Sequence, residues 1–169
     1  MSDDNTMKTP QARVRVAGVI AAALALASPI VHAGDSSKVR VDFAKCFPNP
    51  PLPLPEGIVF INVGTVSGDV SGPLVVYGQP GSFDSMGGAV IFLEADYVVA
   101  ATDAGKSFTA RVGGRFDLAS GHAILYGYVS DGWLRGARVV DEFHATTPGC
   151  VAGTLTLTPR WPASEGPAD

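Results

Sequence analysis

The chain has 169 residues, of which 46% are hydrophobic and 17% are charged, and its formal net charge at pH 7 is −4. This length fits one domain with a core of ordinary size. Nucleic-acid binding needs clustered Lys and Arg, and the sequence contains no such cluster, so composition argues against a nucleic-acid partner.

Residues 1–33 have the organisation of a secretory signal peptide. Basic side chains precede an apolar run at residues 16–30, and the small-x-small site Val31-His32-Ala33 follows. A transmembrane anchor is the competing interpretation, but the run is shorter than the ~20 residues that cross a bilayer core. The sequence therefore predicts cleavage near Ala33, secretion or release to the periplasm, and a single domain at 34–160 without a membrane span.

Cys46 and Cys150 are the two cysteines of the chain, and both follow the predicted leader. An even number of cysteines in an oxidising compartment favours a disulfide, which the loop-entropy model values at roughly 4–5 kcal/mol for a loop of about a hundred residues. A reactive thiol and a metal pair are the alternatives, but neither cysteine has a second Cys or His at ligand spacing. We therefore predict a Cys46–Cys150 disulfide and no metal site.

Alternating and β-branched sequence predicts a chain made almost entirely of strands. The predicted strands are residues 38–46, 57–67, 70–79, 89–101, 106–116, 122–130, 133–145 and 150–158. A helix competes for 89–101, but β-branched content and flanking glycines favour a strand there. The five prolines of 47–56 predict a strap across one end of the fold rather than a docking peptide. Residues 80–88 are predicted to be a loop, and 161–169 a disordered tail.

Two glycine-containing pairs mark places where the predicted sheet changes direction. Asp131-Gly132 is a strong hairpin signal, because both residues tolerate positive φ. Pairing across that hairpin would place Tyr128 near Arg135. Gly113-Gly114 lies inside a predicted strand, where a curved sheet bends or another backbone approaches closely.

The number of predicted strands indicates the fold class. About eight antiparallel strands in so short a chain predict an all-β fold, and in particular a closed up-and-down barrel, because closure removes exposed edges. A two-sheet β-sandwich is the second possibility. The predicted disulfide favours the barrel, since a barrel places its first and last strands side by side.

Residues 112–123 resemble a family of closed barrels. The segment reads VGGRFDLASGHA, and it is similar to the VGGTGKFRLARGYA segment of dirigent proteins and, less closely, to the GGSGIFEG segment of allene oxide cyclases. The resemblance implies a secreted eight-stranded barrel, often trimeric, whose apolar lumen holds a small hydrophobic molecule. It implies that the lumen steers cyclisation, isomerisation or coupling of that molecule, and it implies no cofactor.

Carboxylates on two predicted strands are candidates for chemistry. Glu94 and Asp96 lie two residues apart on one face of a strongly apolar strand, where like charges in a shared field favour keeping one carboxyl protonated as a general acid. Glu142 and His144 have the same spacing, which would suit a base and its orienting group. In each case the alternative is a pair of exposed side chains.

Aromatic and basic side chains around the predicted hairpin are candidates for ligand binding. His122, Tyr126 and Tyr128 share one face of a strand, and Trp133 and Arg135 share one face of the next. If these faces point inward, they form a polar and aromatic pocket wall. If they point outward, they form a surface ladder or an oligomer contact, and parity does not decide between the two, because the opposite, aliphatic face would also fill a narrow barrel.

These patterns lead to two functional hypotheses. The first is an exported barrel that binds a small apolar molecule and guides its cyclisation, isomerisation or coupling without a cofactor. It assigns catalysis to Glu94, Arg135 and His144. It assigns ligand binding to Asp96, His122, Tyr126, Tyr128 and Trp133. The second hypothesis is a non-catalytic barrel that binds a ligand or forms an oligomeric surface; ionisable groups in the lumen would favour the first, and an aliphatic lumen the second.

Overall fold

The computed structural model of the protein describes residues 38–160, all of which fall in one structural unit of the chain. The predicted signal peptide, 1–33, and the predicted tail, 161–169, lie outside the described residues. Residues 38–160 form nine β-strands and one 3-10 turn at Ala104–Lys106. The strands are β1 Val39–Cys46, β2 Phe60–Gly68, β3 Gly72–Gly78, β4 Ser85–Gly87, β5 Val90–Val99, β6 Phe108–Asp117, β7 His122–Gly132, β8 Arg138–Thr147 and β9 Cys150–Thr158.

Eight of these strands close into one antiparallel barrel. Around it the order is β3-β2-β1-β9-β8-β7-β6-β5, and β5 pairs with β3 to complete the circle. Each barrel strand lies beside its neighbour in the chain, and the last strand lies beside the first. The predicted all-β fold and closed eight-stranded barrel are confirmed, so the β-sandwich does not apply.

A short strand, β4, lies outside the barrel. It pairs Ser85 with Ile91 of β5, and it falls in the stretch that the sequence predicts as a loop. Sequence reasoning missed this strand because its last residue, Gly87, and the next residue, Gly88, are glycines with positive φ angles of 100° and 62°. A Gly- and Ser-rich composition of this kind is typical of turns.

A disulfide joins the first and last strands. Cys46 ends β1, Cys150 begins β9, and the two lie directly opposite each other in the β1–β9 register. Their sulfur atoms are bonded at 2.10 Å, across a sequence separation of 104 residues. The predicted Cys46–Cys150 disulfide is confirmed.

The two ends of the barrel interior differ in composition. At the end where β1 begins, the core is mainly aliphatic and closed: Val99, Val129 and the ring of Phe108 are at most 3% exposed, and Trp133 packs against the buried core there. At the end where β1 finishes, inward side chains are larger and aromatic, among them Phe60 and Phe143. The aromatic end leaves a cavity.

The proline-rich segment 47–56 leaves the barrel beside that cavity. The backbone N–H of Phe47 donates to the carbonyl of Gly149 at 2.9 Å, and the Phe47 ring packs edge-on against Phe60 with centroids 6.1 Å apart. Leu52 and Leu54 then line a shallow groove on the outer surface. The segment therefore borders the open end of the barrel and contributes an aromatic ring to its rim.

The predicted hairpin at Asp131-Gly132 is wrong in position. β7 runs on to Gly132, with Asp131 paired to Thr109 of β6. The chain turns instead at residues 133–137, where Leu134 and Gly136 have positive φ angles of 58° and 85°. β8 consequently begins at Arg138, later than predicted.

The conformational signal at Gly132 is real, but β7 uses it for a close approach. Gly132 has a φ of 78°, and a Cβ there would lie 3.0 Å from the Cα of Phe108. The shift of register changes the predicted cross-strand pair, because Tyr128 lies opposite Arg138 rather than Arg135. The remaining barrel strands agree with the predicted ones to within three residues.

Candidate ligand site in the barrel lumen

Four polar side chains of the described barrel point inward. They are Lys45 on β1, Asn62 on β2, Tyr97 on β5 and Asp141 on β8, and each is at most 7% exposed. Every one of them occupies a position whose same-face neighbours are apolar, as Val41 and Phe43 are for Lys45. Because burying a polar group costs free energy unless it is paired, this cluster is the first place to look for function.

Lys45 lies in a cage of aromatic rings. Its Nζ is 3.9 Å from the centroid of Tyr97, 5.1 Å from that of Phe43 and 5.0 Å from that of Phe143. The same Nζ donates a hydrogen bond to the Tyr97 hydroxyl oxygen. The electron-rich faces of these rings stabilise the ammonium where water is largely excluded.

Asp141 supplies the negative charge of the lumen. It is 0% exposed, and among residues 38–160 neither of its carboxylate oxygens has a partner in hydrogen-bonding geometry. Burial raises the pKa of Asp141 to about 6, and the positive charge of Lys45 and the Tyr97 hydroxyl oppose that rise. Lys45 and Tyr97 therefore both favour the charged form of Asp141.

Burial and the charge of Asp141 also shift the pKa values of Lys45 and Tyr97. Burial lowers the pKa of Lys45 to about 8, and the charge of Asp141 opposes that fall. Burial and the Asp141 charge both raise the pKa of Tyr97 well above its ordinary value. Near neutral pH, Tyr97 therefore keeps its proton and Lys45 exchanges its proton more readily than an ordinary lysine.

A cavity of about 90 Å³ opens at the aromatic end of the barrel. Among the described residues that line it, six are aromatic: Phe47, Phe60, Phe83, Phe116, Phe143 and Tyr97. Lys45 and Asn62 supply polar groups to its wall, whereas Asp141 does not line it. The rings pack on one another, with centroids of Phe60 and Phe83 5.3 Å apart and those of Phe116 and Phe143 5.8 Å apart.

The predicted carboxylate pair lies on the outside of β5. Glu94 and Asp96 are half-buried there and share a face, as predicted. Asp96 accepts two hydrogen bonds from Arg111, both at 2.8 Å, and one from Gln79 at 2.9 Å. This interaction raises the pKa of the Arg111 guanidinium. The structure therefore places Asp96 in a surface ion pair and keeps Glu94 away from the lumen.

The other predicted site residues also lie outside the cavity. Tyr126 and Tyr128 are 63% and 50% exposed on the outer face of β7. On the same outer face, His122 lies opposite the exposed His144, and its Nε2 is 3.3 Å from Oε1 of Glu142. Arg135 is exposed in the turn after β7, and Trp133 packs at the closed end of the barrel. Roles for these residues stay predictions, and they do not converge with the lumen group.

Sequence reasoning missed Lys45, Asn62, Tyr97 and Asp141. The signal was the alternation along each strand: Lys45 continues the inward series of Val41 and Phe43, and Asp141 lies between Val139 and Phe143. A charged residue in an apolar series points into the core as its neighbours do, because side chains alternate strictly in a strand.

The lumen group offers proton donors rather than a set of metal ligands. Among residues 38–160, no group of three or more His, Cys, Asp or Glu side chains is arranged to hold a metal ion. Within the same part of the chain, no helix combines the length and apolar character that crossing a bilayer requires. The chemistry open to the site comes from an ammonium, a phenol, an amide and a buried carboxylate.

Fold and cavity together define a class: a closed, eight-stranded antiparallel barrel with an aromatic cavity at one end of its lumen. No protein-family model matches the chain, and no curated protein and no solved structure matches it either. A functional proposal therefore rests on the geometry of the lumen and on the residues that form it.

Proposed function

We propose that the protein binds a small, largely apolar molecule in the aromatic end of its barrel, with an oxygen of that molecule against Lys45 and Tyr97. The observation that carries the proposal is a cavity walled by aromatic rings whose polar groups are a buried amine, a phenol and an amide. Binding sites for small molecules commonly combine an apolar wall with a few convergent polar groups in this way.

The size of the cavity limits the part of a ligand that it can enclose. Its volume of about 90 Å³ is below the ~150 Å³ of an engineered cavity that holds benzene. The enclosed space therefore suits one end of a molecule, a short chain or part of a ring. Because the cavity is open on one side, the rest of the ligand would lie against Phe47 and Phe83, which are 51% and 49% exposed.

The polar groups favour a ligand that accepts hydrogen bonds. The Lys45 ammonium and the Asn62 amide can donate to an oxygen in the cavity, and the buried Tyr97 hydroxyl keeps its proton. Asp141 lies behind them and balances the positive charge of Lys45. A carbonyl, ether or alcohol oxygen would meet a preorganised positive site, which is the arrangement that stabilises developing negative charge on oxygen.

This arrangement also supports a cofactor-independent cyclisation or isomerisation, in which Lys45 donates a proton to the ligand oxygen while the aromatic wall fixes the ligand's shape. The resemblance of residues 112–123 to dirigent proteins and allene oxide cyclases fits this role, since Phe116 in that segment lines the cavity. A trimeric assembly is part of the same proposal. A barrel that binds its ligand without converting it is the alternative.

An extracytoplasmic location completes the proposal. The Cys46–Cys150 disulfide is consistent with an oxidising compartment, and the predicted signal peptide at 1–33 would direct export. Native mass spectrometry of the protein purified from its own source would report a bound molecule and the number of subunits together.

Binding of benzyl alcohol, followed by saturation-transfer NMR, tests the site. Ala95 lines the cavity and is 3% exposed, so Ala95→Leu fills the space and is expected to weaken binding by about tenfold or more, the equivalent of 1.4 kcal/mol. Ala44→Leu adds the same side chain on the exposed outer face of β1 and is expected to leave binding unchanged.

Phe83→Ala gives a second variant that does not depend on packing a larger side chain into the core. Phe83 is 49% exposed at the rim, so its loss leaves the barrel intact and is expected to weaken binding several-fold. Equal binding by the parent protein, Ala95→Leu and Phe83→Ala would overturn the proposed site.

A further inference from the structure

Lys45 differs from the other lysines of the described part of the chain. Lys38 is exposed and Lys106 is partly exposed, whereas Lys45 is 5% exposed at the wall of the aromatic cavity. An amine in an apolar pocket spends more time uncharged than an amine in water, because desolvation disfavours the ammonium. A neutral amine is a nucleophile, and lysines desolvated in apolar pockets are the ones that attack carbonyl groups.

Two titratable groups of the described barrel face Lys45, and neither removes its nucleophilic character. Tyr97, on β5, accepts a hydrogen bond from Nζ and keeps its own proton. Asp141, on β8, opposes the fall in the pKa of Lys45 but leaves it at about 8. At mildly alkaline pH about half of the Lys45 side chains are therefore neutral, against roughly one in a hundred or fewer for an unperturbed lysine.

We propose that Lys45 forms a covalent imine with small apolar aldehydes or ketones that enter the aromatic end of the barrel. The inference rests on the proposed binding function and narrows its ligand class to carbonyl compounds. The geometry that carries it is the position of the amine: Nζ lies at the wall of an aromatic cavity, beside the Tyr97 hydroxyl oxygen, which accepts a hydrogen bond from it.

The chemistry balances without any further reactant. The lone pair of neutral Lys45 attacks the carbonyl carbon, a C–N bond forms, and a proton moves from nitrogen to oxygen to give a carbinolamine. The C–O bond then breaks and the oxygen leaves as water, taking the second amine proton, so that one amine and one carbonyl give one imine and one water. The Tyr97 hydroxyl lies beside Nζ, so its oxygen can accept the amine proton as its own proton passes to the departing oxygen, which leaves Tyr97 protonated throughout.

Reductive trapping with benzaldehyde and sodium cyanoborohydride tests the inference on the full chain at pH 8. The reducing agent converts an imine into a stable benzylamine, which intact-protein and peptide mass spectrometry locate. Among the lysine side chains, with the α-amino group mapped separately, we expect the benzyl group on Lys45, formed at least about tenfold faster than on Lys106, because Lys45 is desolvated at the wall of an apolar cavity. Lys106→Met is expected to keep the adduct, and Lys45→Met to lose it.

A second variant and a competition experiment complete the test. If Lys45→Met does not fold, Lys45→Met/Asp141→Asn removes the uncompensated carboxylate, and the adduct map of the parent protein stands without either variant. Modification of Lys38 and Lys106 with Lys45 left intact overturns the inference. Benzyl alcohol separates the two proposals: if it binds and competes for the cavity while benzaldehyde leaves Lys45 unmodified, the imine is wrong and the binding function stands, whereas if neither compound binds, both fall.

Discussion

Lys45 and Asp141 place two opposite charges inside an apolar barrel. Burial lowers the pKa of Lys45 and raises that of Asp141, so it favours the neutral form of each side chain. The opposite charge of the partner favours the charged form of each. Breaking such a pair by removing one partner is costly, because it leaves the other charge buried alone, whereas removing both is often close to neutral. The pair therefore adds little net stability, which is consistent with the proposed role of Lys45 as a nucleophilic amine.

The sign of the Asp141 shift leads to a prediction about stability and pH. In Lys45→Met, Asp141 has no counter-charge, and its folded-state pKa is expected to rise beyond about 6. A raised pKa means that the folded protein binds the proton more tightly than the unfolded chain. The stabilisation is fully present below the unfolded-state value of 3.8 and is lost as pH rises through the folded-state value.

The measurement compares urea unfolding of Lys45→Met and Lys45→Met/Asp141→Asn between pH 4 and pH 8. The double variant is expected to gain stability relative to the single variant as pH rises, reaching about 3 kcal/mol at the alkaline end, the typical magnitude for an uncompensated buried charge. The two proteins differ only at residue 141. The exposed carboxylates therefore contribute equally to the pH dependence of both stabilities, and their contribution cancels in the difference. A constant gap across this range would show that Asp141 titrates normally.

At the scale of single residues, sequence reasoning singled out side chains other than those that the structure places in the lumen. It treated ionisable groups in the lumen as the feature that would favour an enzyme over a structural barrel, and Lys45 and Asp141 are such groups. It chose Glu94 and His144 because they stand close to a second polar residue in sequence, but proximity along a strand does not reveal the direction of a face. The direction of a polar side chain follows from its alternation with apolar neighbours, provided that the inward face of that strand is known.

At the scale of the element, a glycine in β6 lets the backbone of β7 approach closely. Gly113 and Gly114 are neighbours on opposite faces of β6. A Cβ on Gly114 would lie 2.8 Å from the Cα of Leu125, whereas a Cβ on Gly113 would lie 3.4 Å from the ring of Phe92. The prediction that this pair permits a close backbone approach is confirmed for Gly114, and glycines of this kind are how a sheet curves into a barrel.

The two glycines form a matched pair for a test of barrel curvature. Gly114→Ala is expected to lower the free energy of unfolding by about 3 kcal/mol, because the obstruction is backbone and cannot rotate away. Gly113→Ala is expected to change it by less than about 1 kcal/mol, since an outward Cβ finds ordinary contact distances and stiffens the unfolded chain. Urea unfolding measures the free energy of unfolding of both variants. Equal decreases would mean that the close approach of β7 does not depend on Gly114.

The hairpin between β7 and β8 shows where element prediction stopped. Asp131-Gly132 carries the right conformational preference, and Gly132 does have a positive φ of 78°. The tertiary structure uses that preference to bring β7 against β6, and the chain turns afterwards through Leu134 and Gly136. Local sequence indicates which residues tolerate a positive φ. Whether such a residue forms a turn or permits a close approach between strands depends on the neighbouring strand.

At the scale of the whole molecule, the closed barrel was predictable because several local signals agree. Alternating β-branched segments gave the number of strands, the turns gave antiparallel neighbours, and cysteines in the first and last segments indicated that the ends meet. The orientation of each face was not predictable, because the small residues on one side of β7 and the aromatic residues on the other are both compatible with a narrow interior. The structure turns Ala123, Leu125 and Val129 inward.

The disulfide is expected to stabilise the barrel without being needed for its shape. Cys46→Ser/Cys150→Ser opens a covalent loop of about a hundred residues, and the expected loss is roughly 4 kcal/mol in the free energy of unfolding. The fold is expected to survive, since the β1–β9 ladder pairs every residue from Val39 to Cys46. Far-ultraviolet circular dichroism checks the fold, and urea unfolding checks the stability.

Reductant supplies the matched control for this variant. Dithiothreitol is expected to bring the unfolding midpoint of the parent protein to that of the double Ser variant and to leave the variant itself unchanged. A parent protein whose midpoint is insensitive to complete reduction would contradict a stabilising role for the bond. Loss of β-structure in the double variant would show instead that the bond is required for closure.

Because β1 pairs with β9, the barrel can close only after the last strand has been synthesised. Ribosomes add about 5–20 residues per second, so the 104 residues between the two cysteines take roughly 5–20 s to synthesise after the first strand has emerged. Throughout that interval the nascent sheet has an unsatisfied edge on β1, the kind of edge that recruits other chains. The closing contacts are among the most distant in the sequence, which makes their formation slow. The β1 edge therefore stays unpaired until β9 has been made and can pair with it.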